Sequence, residues 1–298
     1  MRIAVLMSTY NGHLFLDKQL ESLANQTVAD EMTVYIRDDG STDNTFDIIE
    51  NWKKKIKIVL YKEKNAGPAM SFWMLLMNPE IQADYYAFCD QDDIWDANKI
   101  EKGIEHLKGN TYLYACNCRI IDENGTVIKE CRTNRTPNMT IRKLFVSGCT
   151  QGCSMIFSDT LCQRIRTANI SCIPMHDLIV MLYANCEGSI YWDMEPHFGY
   201  RVHSNNVVAK NNKTGVQKLK TVLWYWKNSS KHSMSIVAEE LIASEKQIQR
   251  DDMDYLMYMS NYKKSIIGKW KIMEIGEMKG MDKNAVRSYR IRVLLNLL

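Results

Sequence analysis

Short apolar runs alternate with amphipathic stretches along the first hundred residues of the chain. Four runs of strand length are separated by segments in which apolar residues recur every three or four positions, as on one face of a helix. The runs are residues 2–7, 32–37, 56–61 and 84–89. This alternation predicts repeated β-α units, and therefore an α/β fold with a Rossmann-like, mostly parallel sheet flanked by helices.

The pattern changes beyond this first half. Residues 119–129 predict a hairpin that turns at Asn124-Gly125, a dipeptide that favours tight β-turns. Residues 154–157 and 198–202 predict further short strands. The second half is therefore expected to add strands in a different order from the simple β-α succession.

The end of the chain differs in both charge and pattern. From Lys213 onward the sequence is helix-like, contains no proline, and carries sixteen basic against nine acidic residues. We therefore expect one domain over residues 1–212, with halves at 1–110 and 111–212. A basic helical C-terminal extension over residues 213–298 is expected to follow, and its charge suits an acidic partner.

Composition places the chain among ordinary globular proteins. Hydrophobic residues make up 46% and charged residues 24% of the sequence, with a net charge of +3. The apolar run from Ile3 to Met7 is too short for a signal peptide or a membrane span. Nine cysteines lack a repeated CxxC spacing, which favours buried, reduced thiols over a disulfide framework or a zinc site. We therefore expect a cytoplasmic protein.

Polar residues gather directly after each of the four predicted strands. In open α/β sheets these carboxyl ends meet at one rim, where helix amino termini also present free N–H groups to ligands. The four clusters are Ser8-Thr9-Tyr10-Asn11, Asp38-Asp39-Gly40-Ser41, Asn65-Ala66-Gly67 and Asp90-Gln91-Asp92-Asp93. Their shared position predicts one binding site at this rim.

The fourth cluster has the composition of a metal site. Three carboxylates follow an apolar strand, where their mutual repulsion would be costly without a cation. Oxygen ligands favour Mg²⁺ or Mn²⁺ over zinc, and such an ion would neutralise a diphosphate. The alternative is that these acids cap the helix that starts near Asp96, which is common for one aspartate and less so for three.

The second cluster allows two interpretations. A carboxylate at Asp38 or Asp39 can accept hydrogen bonds from a ribose or a base, but the same residues can form a turn and a helix cap. Other nucleotide motifs are absent from the sequence: no GxGxxG follows the first strand, and no P-loop or GxSxG elbow occurs.

Four segments together resemble glycosyltransferase family 2, whose members have the GT-A fold and use nucleotide-diphosphate sugars. They are VLMSTYNG, IRDDGSTDNT, KNAGPAMSFW and FCDQDDIW, in this order over the first hundred residues. The resemblance implies nucleotide contacts from Thr9, Tyr10 and Asp39, with Asp38 as their helper. It also implies that Asp90 and Asp92 form the DxD pair that meets diphosphate and metal.

The second half is similar to the rhamnosyltransferase-like members of this family. Residues 148–155 resemble the small-residue segment beside the acceptor, and Met175-His176-Asp177 resembles the position of the catalytic base, although an isolated His-Asp is more often a helix cap. The segment 200–206 is similar to YRxHxxN, in which Arg201 and His203 could approach the diphosphate. Leu178 departs from the family, which commonly has tryptophan there.

The predicted site can now be stated in full. Predicted nucleotide-sugar contacts are Thr9, Tyr10, Asn11, Asp38, Asp39, Asn65, Gly67, Asp90, Gln91, Asp92, Arg201 and His203. Predicted metal ligands are Asp90, Asp92 and His203, the acceptor side is assigned Trp95, Gly152 and His176, and Asp177 is assigned the base. The expected cofactor is Mn²⁺ or Mg²⁺.

The resemblance implies an inverting transfer to a glycan or a lipid-linked saccharide in cell-surface polysaccharide synthesis. Its subgroup suggests dTDP-rhamnose as donor, with UDP-hexoses and UDP-N-acetylhexosamines as alternatives. A sugar nucleotidyltransferase, which needs a glycine-rich loop after the first strand, and a non-catalytic nucleotide-binding module rank lower. No nucleic-acid partner is expected.

The basic extension suggests a membrane contact. Lys218, Lys220, Lys227 and Lys231 flank Trp224-Tyr225-Trp226, a mixture typical of helices that lie on anionic membranes. The protein could then be peripheral at the inner face of the cell membrane. A membrane-scaffold or interaction protein is the rival class that this extension alone would suggest. The alternative is a solvated basic face whose aromatic residues pack on the domain or in a homodimer.

Overall fold

The strands of the described residues form a single mixed sheet. The computed structural model describes residues 1–148, 150–203, 233–245, 248–274, 278 and 281–298. Within them the strands are β1 (Ile3–Thr9), β2 (Met32–Asp38), β3 (Ile58–Lys62), β4 (Tyr85–Cys89), β5 (Ile94–Trp95), β6 (Thr111–Ile121), β7 (Val127–Lys129), β8 (Met155–Ser158) and β9 (Ser189–Arg201). Their order in the sheet is β3-β2-β1-β4-β8-β6-β9-β5, with β7 paired to β6.

The helices of the described residues fall between and after these strands. They are α1 (Leu16–Ala24), α2 (Thr45–Trp52), α3 (Pro68–Met77), α4 (Lys99–His106), α5 (Ile141–Ser147), α6 (Asp159–Thr167), α7 (His176–Glu187), α8 (Ser233–Ser244), α9 (Arg250–Asn261), α10 (Ile266–Ile272) and α11 (Lys283–Leu294). Four helices alternate with the first strands, as the apolar periodicity predicts.

The parallel half of the sheet aligns the carboxyl ends of its strands. Strands β3, β2, β1 and β4 pair in parallel, and the register places Thr9 beside Asp38 and Met7 beside Cys89. The central strands β1 and β4 are almost wholly buried, because helices cover both faces and leave few positions for polar residues, whereas the edge strand β3 is partly exposed. The predicted α/β fold is therefore confirmed, and the polar clusters after β1, β2 and β4 lie on one rim.

Antiparallel pairing enters in the second half. Strand β8 pairs antiparallel with both β4 and β6, and β9 runs parallel to β6 but antiparallel to β5. The predicted hairpin at Asn124-Gly125 is confirmed by the β6-β7 pair, and Gly125 has the positive φ of 89° that such a turn requires. Strand β9 begins at Ser189, whereas the sequence predicts a strand only over residues 198–202. Its first residues are partly buried or exposed and form no continuous apolar run, so the apolar pattern does not indicate them.

The chain divides into two units. The first comprises residues 1–137, 150–167 and 175–202, and the second comprises the described residues among 138–149, 168–174 and 203–298. The second unit contains helices α5 and α8 to α11, and Tyr255, Tyr262 and Tyr289 are buried in it. The expected boundary between 212 and 213 lies outside the described residues, as do Lys218, Lys220, Trp224, Tyr225, Trp226, Lys227 and Lys231.

Candidate active site

Asp38 joins the ends of β1 and β2. Its carboxylate accepts hydrogen bonds from Thr9 Oγ1 at 2.8 Å, the Ser41 amide at 2.8 Å and Ser41 Oγ at 2.6 Å. Thr9 is completely buried and Asp38 nearly so. This network fixes the turn after β2. The role of Asp38 as a helper to the nucleotide contacts stays a prediction.

Asp39 holds the loop that precedes α3. Its carboxylate accepts hydrogen bonds from the Arg37 guanidinium, from the Ala66 amide at 2.8 Å and from the Gly67 amide at 2.9 Å. A carboxylate has about four acceptor positions, so three internal donors leave about one for a ligand. The structure therefore gives Asp39 a structural function, and its nucleotide contact stays a prediction.

The loop after β1 is tied to the loop after β4. The Tyr10 amide donates to Gln91 Oε1 at 2.9 Å, and Gln91 Nε2 donates to the Tyr10 carbonyl at 3.1 Å. The Tyr10 side chain is half exposed, whereas the Asn11 side chain accepts a hydrogen bond from the Thr42 amide. Tyr10 thus presents an exposed ring at this rim, and its contact with a nucleotide stays a prediction. The exposed Asn65 lies on the loop that Asp39 holds.

Two aspartates and a cysteine converge below the rim. One ligand atom from each of Asp90, Asp93 and Cys153 lies within 4.8 Å of the others. Desolvation, followed by repulsion from Asp92, raises the pKa of Asp90 to about 7. Desolvation and repulsion from Asp92 and Asp90 raise the pKa of Asp93 well above its ordinary value. The group that forms here is Asp90 with Asp93, whereas the sequence predicts Asp90 with Asp92.

Asp93 lies at the bottom of this cluster. It is completely buried, and its Oδ1 accepts a hydrogen bond from the Arg201 amide at 3.1 Å. Its Oδ2 accepts no N–H or O–H donor from the described part of the chain. A buried carboxylate oxygen without a donor is unfavourable unless it is protonated or meets a cation.

Asp177 lies at the start of α7 beside the same cluster. Its carboxylate accepts hydrogen bonds from the backbone N–H groups of Leu178, at 2.8 Å, and of Gly152. Burial raises the pKa of Asp177 to about 6, against the lowering effect of these hydrogen bonds. The charge of Asp177 also raises the pKa of Asp90, so the two carboxyl groups interact electrostatically.

Gly152 and Cys153 connect the two groups of acids. Gly152 donates its amide to Asp177, and the next residue places its thiol against Asp90 and Asp93. A β-carbon at position 152 would lie 2.7 Å from His176 Nε2, so glycine is required for this close approach. The small-residue segment thus brings the predicted base to the acid cluster.

Residues 4–163, more than half of the chain, match the family model described as "Glycosyl transferase family 2". The chain belongs to glycosyl transferase family 2. A dTDP-rhamnosyl transferase, RfbG of Shigella flexneri, is 28% identical over 256 residues, which cover 79% of this chain and 86% of that protein. An uncharacterized glycosyltransferase of Haemophilus influenzae is 32% identical over 136 residues, 45% of this chain and 53% of that protein.

Solved structures share the fold of this family 2 chain. TarS 1-349 of S. aureus superposes with a TM-score of 0.60 at 17% identity, over 100% of this chain and 80% of that one. The mannosyltransferase PcManGT of Pyrobaculum calidifontis, in complex with GDP-Man and Mn²⁺, gives a TM-score of 0.54 at 14% identity, over 100% of this chain and 81% of that one. At these identities the comparisons establish the GT-A fold.

Three predicted contacts of this glycosyltransferase are buried. Arg201 donates from its guanidinium to the carbonyls of Asp92, at 2.7 Å, and of Asp122 and Glu123, so it holds the acidic loop. Trp95 is 3% exposed. His176 is packed among aromatic rings, and burial lowers its pKa to about 3. Each of these side chains is thus buried against other protein groups, and their contacts with a diphosphate or an acceptor stay predictions.

Other features of the site bear on the remaining predictions. Lys99 is fully buried, with Nζ 3.4 Å from the Trp95 ring centroid, and its charge opposes the raised pKa values of Asp90 and of the Cys153 thiol. Lysine in an amphipathic helix gives no sequence signal for such burial. His203 belongs to the second unit, and its metal contact stays a prediction. No described helix has the length and apolar character needed to cross a bilayer.

Proposed function

We propose that this family 2 glycosyltransferase moves a sugar from a nucleotide diphosphate to an acceptor hydroxyl with inversion, and that Asp177 is the base. The observation that carries the proposal is the position of two adjacent residues, Gly152 and Cys153. The backbone of Gly152 contacts Asp177, and the thiol of Cys153 lies beside Asp90 and Asp93. Transfer needs a base and a group that binds the diphosphate, and the residues proposed for these roles, Asp177 and Asp90 with Asp93, belong to one unit.

The reaction is a single displacement. The acceptor oxygen attacks the anomeric carbon from the face opposite the nucleotide, its proton passes to an Asp177 carboxylate oxygen, and the bond from the anomeric carbon to the diphosphate oxygen breaks with its electron pair. The backbone N–H groups of Leu178 and Gly152 orient the carboxylate. A base with a pKa of about 6 is largely ionised at neutral pH and still accepts a proton.

The residues present fit a divalent cation. Asp90 and Asp93 offer carboxylate oxygens, and the Oδ2 of Asp93, which accepts no N–H or O–H donor from the described residues, is the atom that a cation would satisfy. When bound, Mn²⁺ or Mg²⁺ would supply charge neutralisation to the leaving diphosphate. The Mn²⁺ complex of PcManGT supports this cofactor. Asp92 remains a further candidate ligand, because its charge acts on both other aspartates.

The donor proposed first is dTDP-rhamnose. Its support is the similarity to RfbG, which covers most of both chains. UDP-hexoses and UDP-N-acetylhexosamines are the alternatives, and the complex of TarS with UDP-GlcNAc, a protein of the same fold, supports including them. The acceptor is proposed to be a glycan or lipid-linked saccharide of cell-surface polysaccharide synthesis, on the sequence resemblance alone.

A donor panel tests the proposal. Purified protein is incubated with dTDP-rhamnose, UDP-glucose, UDP-galactose and UDP-GlcNAc in Mn²⁺, Mg²⁺ or EDTA, and release of nucleotide diphosphate is measured with and without saccharide acceptors. We expect one donor to be cleaved in a metal-dependent manner, with faster release when a suitable acceptor is present. Donor binding without release would indicate a non-catalytic module. In a separate incubation, formation of pyrophosphate and a nucleotide-diphosphate sugar from a sugar 1-phosphate and a nucleoside triphosphate would indicate a nucleotidyltransferase.

A further inference from the structure

The helix α10 of the second unit presents an apolar surface to solvent. Ile266, Ile267 and Trp270 are 79%, 69% and 74% exposed. Residues three and four positions apart lie on the same side of a helix, so Trp270 is a neighbour of both isoleucines. We call these three residues, with Leu294 and Leu295, the apolar patch. A single exposed apolar residue is ordinary, but a cluster of large ones marks an interaction surface.

The other side of α10 is anchored in the core of its unit. Gly268 and Ile272 are buried, and the Ser265 hydroxyl caps the helix by accepting a hydrogen bond from the Gly268 amide at 3.0 Å. The Tyr289 hydroxyl, on α11, donates to the Ile272 carbonyl at 3.2 Å. The exposed side chains are therefore fixed by a packed helix, and a binding partner would meet an ordered surface.

The end of α11 extends the patch. Leu294 and Leu295 are 60% and 55% exposed. Lys269 Nζ lies 3.5 Å from the Leu294 carbonyl, which places this pair of leucines beside α10. Five large apolar side chains from two helices thus belong to one surface of the second unit.

Basic residues lie next to the α10 part of the patch in the sequence. Residues 262–272 contain Lys263, Lys264, Lys269 and Lys271 and no acidic residue. Lys264 and Lys271 are exposed, and the acid paired with Lys271, Glu274, is 3.8 Å away on the surface. Large apolar side chains on a helix that also carries exposed lysines suit a bilayer, which has an apolar interior and can have a negatively charged surface.

We propose that the apolar patch seats the second unit on an anionic lipid bilayer. Ile266, Ile267 and Trp270 would enter the boundary between headgroups and acyl chains, while the lysines would meet anionic headgroups. Trp suits this depth, because its ring is apolar and its N–H can reach water. The proposal is independent of the sugar transfer, and its residues differ from the segment 218–231 that the sequence indicates.

A second copy of the chain fits this surface less well. Two-fold association would bring the same patch of both copies together, and with it both sets of four lysines. Like charges facing each other across an interface are unfavourable. An anionic bilayer meets the same lysines with opposite charge, so charge complementarity favours the membrane.

The test is vesicle flotation with the full chain. Wild-type protein is mixed with phosphatidylcholine vesicles, with or without one quarter phosphatidylglycerol, at low salt and at 0.5 M salt. Ile267→Glu and Trp270→Glu are the variants, and Ile128→Glu, at a residue of the first unit that is 59% exposed, is the matched control. Urea unfolding of each protein verifies that these exposed substitutions leave the fold intact.

We expect the wild type and Ile128→Glu to float with the anionic vesicles, and both α10 variants to partition at least about tenfold more weakly. The double variant Lys264→Glu/Lys271→Glu should lose the preference for anionic vesicles, and high salt should weaken wild-type binding. Absence of wild-type flotation, or equal flotation of all variants, would overturn the proposal. So would a wild-type dimer in sedimentation that Trp270→Glu dissociates, because the patch would then be an interface between copies.

Discussion

Lowering the pH from 7 to 5 should destabilise the protein through His176. The imidazole is 5% exposed, stacks on Phe72 with ring centroids 4.3 Å apart and meets Phe88 edge-on at 4.6 Å. Neither ring nitrogen has a hydrogen-bond partner among the described residues. Because an imidazolium would find neither water nor an acceptor there, burial lowers the pKa of His176 from 6.5 to about 3.

The sign and size follow from proton linkage. Between pH 6.5 and pH 3 the unfolded chain binds a proton at His176 that the folded chain does not, so the free energy of unfolding falls as the pH falls. At 1.36 kcal/mol per pH unit, the two pKa values correspond to roughly 5 kcal/mol in full. About 2 kcal/mol of this is lost by pH 5.

Other groups titrate in the same range with the opposite sign. The raised pKa values of Asp90 and Asp177 favour the folded state as the pH falls. The assay therefore compares urea unfolding of the wild type and of His176→Leu at both pH values. The packing cost of leucine is independent of pH and cancels. Between pH 7 and pH 5 we expect the unfolding free energy of the wild type to fall by about 2 kcal/mol relative to that of His176→Leu. If the unfolding free energies of the two proteins change equally between pH 7 and pH 5, His176 is not a buried imidazole without a hydrogen-bond partner.

Three further predictions concern the scaffold and the metal. Gly152→Ala should lower the free energy of unfolding by about 1–3 kcal/mol, because its β-carbon would lie 2.7 Å from His176 Nε2. In the double variant Gly152→Ala/His176→Ala the imidazole is absent, so part of that loss should be relieved. If the losses of the two single variants simply add in the double variant, the clash is contradicted. Arg201→Lys should cost about 3 kcal/mol in urea unfolding, because the three carbonyls are reached from two separate guanidinium nitrogens, Nε and Nη1, and a single ammonium nitrogen cannot occupy both places; an unchanged midpoint would contradict this. In Mn²⁺ calorimetry Asp93→Asn should weaken binding more than Asp92→Asn, and the reverse order would restore the pair that the sequence predicts.

The parallel half of the fold and its rim follow from local pattern. Apolar runs of strand length and turn residues such as Gly67, with φ of 81° directly before Pro68, depend on neighbours in the sequence. The four polar clusters are predicted from the same alternation, because parallel strands must end at one edge. These features require no knowledge of contacts between distant residues.

The detailed geometry depends on contacts that the sequence does not reveal. Asp92 and Asp93 are adjacent and chemically identical, and the Arg201 amide, over a hundred residues away, is what fixes Asp93 inward. His176 precedes Asp177 directly in the sequence, and its ring packs against Phe72 and Phe88. Both aromatic partners are distant in sequence, so the burial of the imidazole could not be predicted. Cys153 lies in a segment that the sequence singles out for its small residues, and only the approach of the acidic loop gives its thiol a possible ligand function.

The central claim is that Asp177 takes the acceptor proton, and Asp177→Asn tests it most directly. Asparagine keeps the size and the hydrogen bond from the Leu178 amide but cannot accept the proton, whereas Asp159→Asn, in the first turn of α6, is a control for a carboxylate at a helix start. With the donor identified by the panel, we predict near-normal donor affinity and unfolding free energy for Asp177→Asn, and transfer at least about a hundredfold slower than in wild type and control. A variant that unfolds more easily but transfers sugar at the normal rate would contradict the account, because Asp177 would then be a helix cap.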